Sequence, residues 1–315
     1  MKTIKDWQIN ICLATYNGQK YLRQQLDSII QQGYTDWICL IRDDGSTDDT
    51  VAIIKEYVNR DSRFIFINSN DDRKLGSHRS FYELVNYKKA DFYVFSDQDD
   101  VWKENRLERY LEEAEKFNQE LPLLVYSNWT SVDEKLTVLK EHNPATVIQE
   151  QIAFNQINGM VIMMNHELAK LWEYRQIGAH DSYVGTLAYA VGNVAYISDS
   201  TVLWRRQVGA ESLNNYGRQY GVATFWQMIN TSFDRASLIF AQVSDKMSLE
   251  RKLFFSRFIE LKNANLIRRI YLLSKLKLRR KSLKETVAMT ILLLTGYGKP
   301  KANFFWLKEI KLSCS

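Results

Sequence analysis

The sequence predicts an α/β fold in which helices cover both faces of a mainly parallel sheet, followed by a helical region. Three observations carry this. Apolar runs and helical patterns alternate over the first hundred residues, a polar cluster follows three of the apolar runs, and strand signals stop near residue 215. In such sheets ligands bind beyond the carboxyl ends of the strands, where those clusters fall.

Element by element, Ile9–Ala14 forms a first strand, and Tyr21–Gln32 a helix with Leu22, Leu26, Ile29 and Ile30 on one face. Trp37–Ile41 is a second strand ending in "RDDGSTDDT", where Ser46 or Thr47 caps the helix of "VAIIKEYV". Phe64–Ile67 gives a third strand, Phe81–Tyr87 a helix, and Phe92–Phe95 a fourth strand. Weaker apolar segments follow at Leu123–Tyr126, Met160–Met164 and Val194–Ile197, with helical patterns at Glu167–Tyr174 and Ser182–Ala190.

Composition places the chain among folded globular proteins. It has 315 residues, 45% hydrophobic and 25% charged, with 3 Pro. Cys12, Cys39 and Cys314 are widely spaced and form no CxxC pair, which argues against a disulfide framework and a zinc site and suits a reducing cytoplasm. The first residues lack the apolar core and cleavage site of a signal peptide. The net charge of +5 hides an asymmetry: residues 1–150 hold 19 Lys/Arg against 26 Asp/Glu, the remainder 23 against 11. Residues 262–284 carry nine Lys/Arg and no acid. The longest uncharged stretch of the tail, Thr286–Gly298, is 13 residues, short of the roughly 20 that a spanning helix needs. A basic amphipathic segment of this kind is suited to lying on an anionic membrane surface, or to packing on the rest of the protein with its basic face solvated. No nucleic-acid-binding motif accompanies the charge.

The densest chemistry is "FSDQDDVW", residues 95–102. Asp97 and Asp99 flank one residue, so in an extended segment they project to the same side, where a divalent cation with a preference for oxygen would join them. The alternative is a capping cluster, with Asp99 or Asp100 at the head of a helix starting near Lys103. "TYNG" at 15–18 and "DDGS" at 43–46 are each ordinary turn sequences; together with the acidic cluster, each behind a strand, they point to nucleotide recognition.

"ICLATYNGQKYLRQQLDSIIQQGYTDWICLIRDDGSTDDT" followed by "FSDQDDVWKENRLE" resembles the inverting family 2 glycosyltransferases, which have the GT-A fold. "YSNWTSVDEKL", "NGMVIMMNHELAKLW" and "HDSYVGTLAYAVGNVAYI" look more narrowly like rhamnosyltransferases of bacterial capsule and wall polysaccharides. The resemblance implies a catalytic domain over 1–215, its nucleotide-binding half about 1–100 and its acceptor-binding half about 101–215, and a helical, membrane-associating region over 216–315. Ala14 and Tyr16 would line the nucleobase pocket and Asp44 would hydrogen-bond the base. Asp99 would ligate Mg²⁺ or Mn²⁺, with Asp97 near the ribose or a metal-bound water. Asp181 would be the general base.

The donor would be a nucleotide sugar, dTDP-rhamnose first and a UDP-hexose as the alternative. The acceptor would be a lipid-linked oligosaccharide at the cytoplasmic face of the plasma membrane, with the protein bound there peripherally. Relatives read HDWW or HDWY where this chain has His180–Asp181–Ser182–Tyr183, and YRQH where it has "LWRRQVG", so Gln207 or Val208 replaces a histidine. Arg205 and Arg206 would compensate by pairing with the diphosphate, making metal dependence weaker than in relatives. Two rivals follow from the same residues. "DQDDV" also fits the nucleophile motif of haloacid-dehalogenase phosphatases, although that motif follows the first strand of its domain and here follows the fourth. The altered segments would equally suit a non-catalytic membrane-bound partner that keeps the fold.

Overall fold

A computed structural model of the chain describes residues 4–71, 73–144, 146–175, 177–206 and 221–299. Among the described residues nine strands form one sheet: β1 Ile9–Thr15, β2 Trp37–Asp43, β3 Phe64–Phe66, β4 Phe92–Ser96, β5 Val101–Trp102, β6 Leu123–Val132, β7 Val138–Glu141, β8 Ile162–Asn165 and β9 Asn193–Arg205. Their order is β3-β2-β1-β4-β8-β6-β9-β5, with β7 paired to β6 off this path.

The first half, β3-β2-β1-β4, is parallel throughout, as the alternation of strands and helices requires. Beyond it the sheet is mixed. β8 runs antiparallel to both β4 and β6, β9 is parallel to β6, and β5 is antiparallel to β9. Two of the later strands are longer than their apolar cores suggest. The polar continuation of β6 pairs with that of β9 through register shifts at Ser127–Trp129, which carries β9 to Arg205 beside the acidic cluster.

Helices α1 Leu22–Ile30, α2 Thr50–Arg60, α3 Gly76–Tyr87 and α4 Arg106–Ala114 pack on this sheet. Leu22, Leu26 and Ile29 are buried in α1, and Ile53, Ile54 and Tyr57 in α2, the spacing that brings one helix face inward. Short helices α5 Ile148–Gln151 and α6 His166–Ala169 precede α7 His180–Val191. The helix expected over Glu167–Tyr174 stops at Ala169. After the sheet come α8 Val222–Val243, α9 Leu249–Leu261, α10 Leu266–Leu276 and α11 Leu283–Thr295, the helical region that the loss of strand signals foretells.

One helix start departs from the sequence reading, and a second is set by a distant residue. α2 begins at Thr50, not behind Ser46 or Thr47, because the Asp48 carboxylate accepts the Thr50 N–H at 3.0 Å while the Ser46 hydroxyl turns to Asp43. α3, which contains the Phe81–Tyr87 segment, begins at Gly76, where Asp44 from the neighbouring loop accepts the N–H of Leu75 at 2.6 Å and of Gly76 at 3.0 Å. At α3 a carboxylate supplied from elsewhere in the fold satisfies donors that a helix start leaves open, which local propensity cannot anticipate.

Candidate active site

The loops after β1 and β2 are stitched into one surface. Asn17 sits at φ 47°, its N–H donates to the Ser46 hydroxyl at 2.9 Å, and its side-chain oxygen accepts the Thr47 N–H at 2.8 Å. Asp43 accepts from the hydroxyl of Thr15 and from the N–H groups of Gly45 and Ser46, which folds the "DDGS" turn back on β1. Arg42, almost wholly buried, donates to Asp44 at 2.7 Å, to Ser80 at 3.0 Å and to the Arg73 carbonyl at 2.8 Å. Burial alone would raise the Asp44 pKa, but the Leu75 and Gly76 N–H groups and Arg42 outweigh it and hold the carboxylate ionised. Ala14 lies across from Arg42 in the β1–β2 register, and the Tyr16 ring is 48% exposed with the Lys74 ammonium 5.0 Å from its centre. Ala14, Tyr16 and Asp44 therefore share one rim.

Beyond β4 the acidic loop forms the other wall. Burial pushes the Asp97 carboxyl up to about 7, reinforced by repulsion from Asp99 and then from Asp181; buried Arg106 opposes the shift. The Arg106 guanidinium lies 4.1 Å over the Trp102 ring and donates to the Met160 carbonyl at 2.7 Å. Asp100 is buried, and its side chain accepts the Arg205 N–H at 3.1 Å. It does not cap α4, whose first residue is Arg106 behind Asn105. Between the two carboxylates, the Gln98 amide bonds both backbone groups of Tyr16, at 2.8 and 2.9 Å.

Asp181 sits in the first turn of α7. Burial raises its pKa, while the Ser182 N–H, Arg235 and the Gly159 N–H pull it back towards the ionised form. Arg235, buried on α8, donates to the Thr186 hydroxyl at 3.0 Å and to that of Ser232 at 3.1 Å. His180 is buried and stacks on Phe81 with ring centres 4.3 Å apart; burial, with His78 nearby, lowers its pKa to about 3. It is a neutral packing group. His180 packs against Phe95 with ring centres 5.5 Å apart, which places the head of α7 beside the acidic loop, with Asp181 near enough to Asp97 to raise its pKa.

The arginines separate. Arg205 is buried and its guanidinium is engaged by the Asp99 carbonyl at 3.0 Å, the Glu134 carbonyl at 2.6 Å and the Gln24 side chain at 2.6 Å, over the Tyr21 ring. The diphosphate contact expected of Arg205 does not fit those bonds; its place is beneath the acidic loop as a brace. Arg206 follows it, half-buried, 4.4 Å over the Trp204 ring. Gln207 and Val208 lie outside the described residues.

A divalent cation fits this cleft by its donor set. Among the described residues no group of three or more His, Cys, Asp and Glu side chains is placed to hold a metal ion by itself. Asp97 and Asp99 would supply two hard oxygen ligands whose mutual repulsion a cation would relieve, and Mg²⁺-type sites characteristically complete their sphere with water and phosphate.

Residues 10–163 match the family described as Glycosyl transferase family 2. These residues form a family 2 glycosyltransferase segment. The family 2 segment holds both nucleotide-side loops and the acidic loop, while Asp181 and the two arginines lie beyond it. An uncharacterized glycosyltransferase of Methanocaldococcus jannaschii is 32% identical over 139 residues, 43% of this chain and 46% of that protein. The dTDP-rhamnosyl transferase RfbG of Shigella flexneri is 35% identical over 103 residues, 32% of this chain and 36% of that one. The chain thus spans less than half the length of each of these two relatives. The UDP-Glc:alpha-D-GlcNAc-diphosphoundecaprenol beta-1,3-glucosyltransferase WfgD of Escherichia coli is 21% identical over 211 residues, 67% of this chain and 81% of that one. Among solved structures, S. aureus TarS 1–349 in complex with UDP superposes with a TM-score of 0.55 at 14% identity, covering 85% of this chain and 80% of that one. The fold is the GT-A fold with a helical region after it.

Proposed function

We propose that the protein is a metal-dependent inverting glycosyltransferase that moves a sugar from a nucleotide donor to a lipid-linked glycan. The observation that carries this reading is that Asp181, at the head of α7 packed on Phe95, lies near Asp97 and Asp99, whose loop Gln98 ties to Tyr16 on the nucleotide rim. Asp44, ionised, accepts an N–H of the donor base, with Tyr16 and Ala14 beside it. Asp97 and Asp99 hold Mg²⁺ or Mn²⁺, which when bound neutralises the leaving diphosphate. Asp181 takes the proton of the acceptor hydroxyl as its oxygen bonds to the anomeric carbon and the bond from that carbon to the diphosphate breaks on the opposite face. Nucleotide release from a panel of dTDP- and UDP-sugars tests the reaction.

L-Rhamnose from dTDP-rhamnose is the first choice of donor, supported by the likeness to RfbG; a UDP-hexose is the alternative, supported by WfgD and TarS. Arg206 pairs with the donor diphosphate. Arg206→Ala is expected to weaken binding of dTDP or UDP about tenfold by calorimetry, the worth of one charge-assisted hydrogen bond. Unchanged affinity would remove Arg206 from the site.

Membrane docking belongs to α10 and α11. Leu266, Ile267 and Ile270 on α10 and Leu283, Val287 and Ile291 on α11 are exposed among the basic residues of 262–284. Among the described residues no helix is long and apolar enough to cross a membrane. On this reading the protein lies on the bilayer surface, at its cytoplasmic face, where each Lys or Arg near an anionic surface contributes about 1 kcal/mol. It should co-sediment with phosphatidylglycerol vesicles at low salt, and lose most of that binding with pure phosphatidylcholine or in 0.5 M NaCl, the Debye length shrinking from about 10 Å at 0.1 M towards about 3 Å at 1 M. Ile267→Asp with Ile270→Asp should weaken it further; equal binding to both lipids would remove the docking face.

A further inference from the structure

We propose that Gln98 is a positioning residue that locks the nucleobase-side loop after β1 to the carboxylate loop after β4, so that nucleotide affinity depends on its amide. The inference rests on the nucleotide-binding reading above. The Tyr16 N–H donates to Gln98 Oε1 at 2.8 Å, and Gln98 Nε2 donates to the Tyr16 carbonyl at 2.9 Å. Residues 82 apart in the chain are joined as two strands of a sheet would be, with a side-chain amide acting as the second peptide unit. Glutamate lacks the donor, an aliphatic side chain lacks both groups, and asparagine is one methylene short.

Gly18 supplies a second, independent sign of the lock. A Cβ on Gly18 would lie 2.3 Å from Gln98 Oε1 and 2.6 Å from its Cδ. Gly18 cannot yield, because its N–H donates to the Thr50 hydroxyl at 2.8 Å and its carbonyl accepts the N–H of Tyr21 and Leu22 at the start of α1. The flexible Gln98 would have to leave instead. Glycine at position 18 is therefore required by the amide that packs on it, and Gly18→Ala breaks the lock from the opposite side.

The consequence is preorganisation. With both backbone groups of Tyr16 held, its exposed ring and the Asp97–Asp99 pair keep one spacing before a ligand arrives, and the ordering cost is not charged to binding. Calorimetry with UDP and dTDP in Mg²⁺, on the full chain, tests this. Gln98→Ala and Gly18→Ala should each weaken nucleotide binding about tenfold, the loss of two hydrogen bonds that order a loop. The double variant should be no weaker than either single one, with melting temperatures close to the wild type.

Wild-type affinity in Gln98→Ala, or losses that multiply in the double variant, would overturn the lock. A collapse of the melting temperature alongside the affinity would likewise overturn it, by making Gln98 a general stability residue. A wild-type protein that binds neither nucleotide would overturn the nucleotide reading, and the inference with it.

Discussion

Asp181→Asn is expected to lower turnover by about 10²–10⁴-fold while leaving dTDP or UDP affinity unchanged, because it removes the proton acceptor and keeps the shape of the side chain. The amide can still accept the N–H of Ser182, so α7 retains its first turn. The pH profile carries the sign of the same group. Burial raises the Asp181 pKa, while the Ser182 N–H, Arg235 from α8 and the Gly159 N–H oppose the shift. The active form is ionised, so turnover falls about tenfold per unit as the pH drops below that raised value, and is flat above it until another group titrates. In Asp181→Asn the acid limb disappears. A residual rate with the wild-type acid limb would assign the base elsewhere.

Asp99→Ala is expected to abolish metal-dependent turnover, a loss of at least about 10³-fold, since a bound cation contributes several kcal/mol of charge stabilisation on a leaving diphosphate. The binding measurement separates this from misfolding. In the wild type Mn²⁺ should strengthen UDP or dTDP binding relative to EDTA, and in Asp99→Ala the two conditions should give one affinity. Asp99 holds part of its loop through its backbone carbonyl, which accepts from Arg205 and is kept by alanine. A variant that still binds nucleotide more tightly with Mn²⁺ would show that the cation sits elsewhere.

The parallel half of the sheet is legible because β1, β2 and β4 are continuous apolar runs ending in polar clusters, and their order in the chain leaves few ways to pair. The mixed half is not. β9 runs through "SDST" to Arg205, and of those polar residues only Ser200 pairs in register, with Asn128 of β6, the register shifting on either side of it. Arg205 looks like a diphosphate ligand in one dimension; its role as a brace follows from Gln24, Asp99 and Glu134, which lie far apart in sequence. Gln98 is the unspecified letter of a DxD pattern, and its partner is the backbone of Tyr16, which leaves no trace in side-chain identity. Gly18 beside it was the available clue. Arg235 escapes for a related reason: one basic residue in a long amphipathic helix carries no signal until α8 packs on α7.

The most direct test of the account is nucleotide release by the purified protein from dTDP-rhamnose and UDP-sugars, with a lipid-diphosphate glycan acceptor, in Mn²⁺ and in EDTA. The account predicts release from one donor class, dependent on acceptor and metal, and lost in both Asp99→Ala and Asp181→Asn. Nucleotide that binds tightly to the wild type but is never released as the free diphosphate, with acceptor and Mn²⁺ present, would contradict it and leave a binding protein built on the same fold.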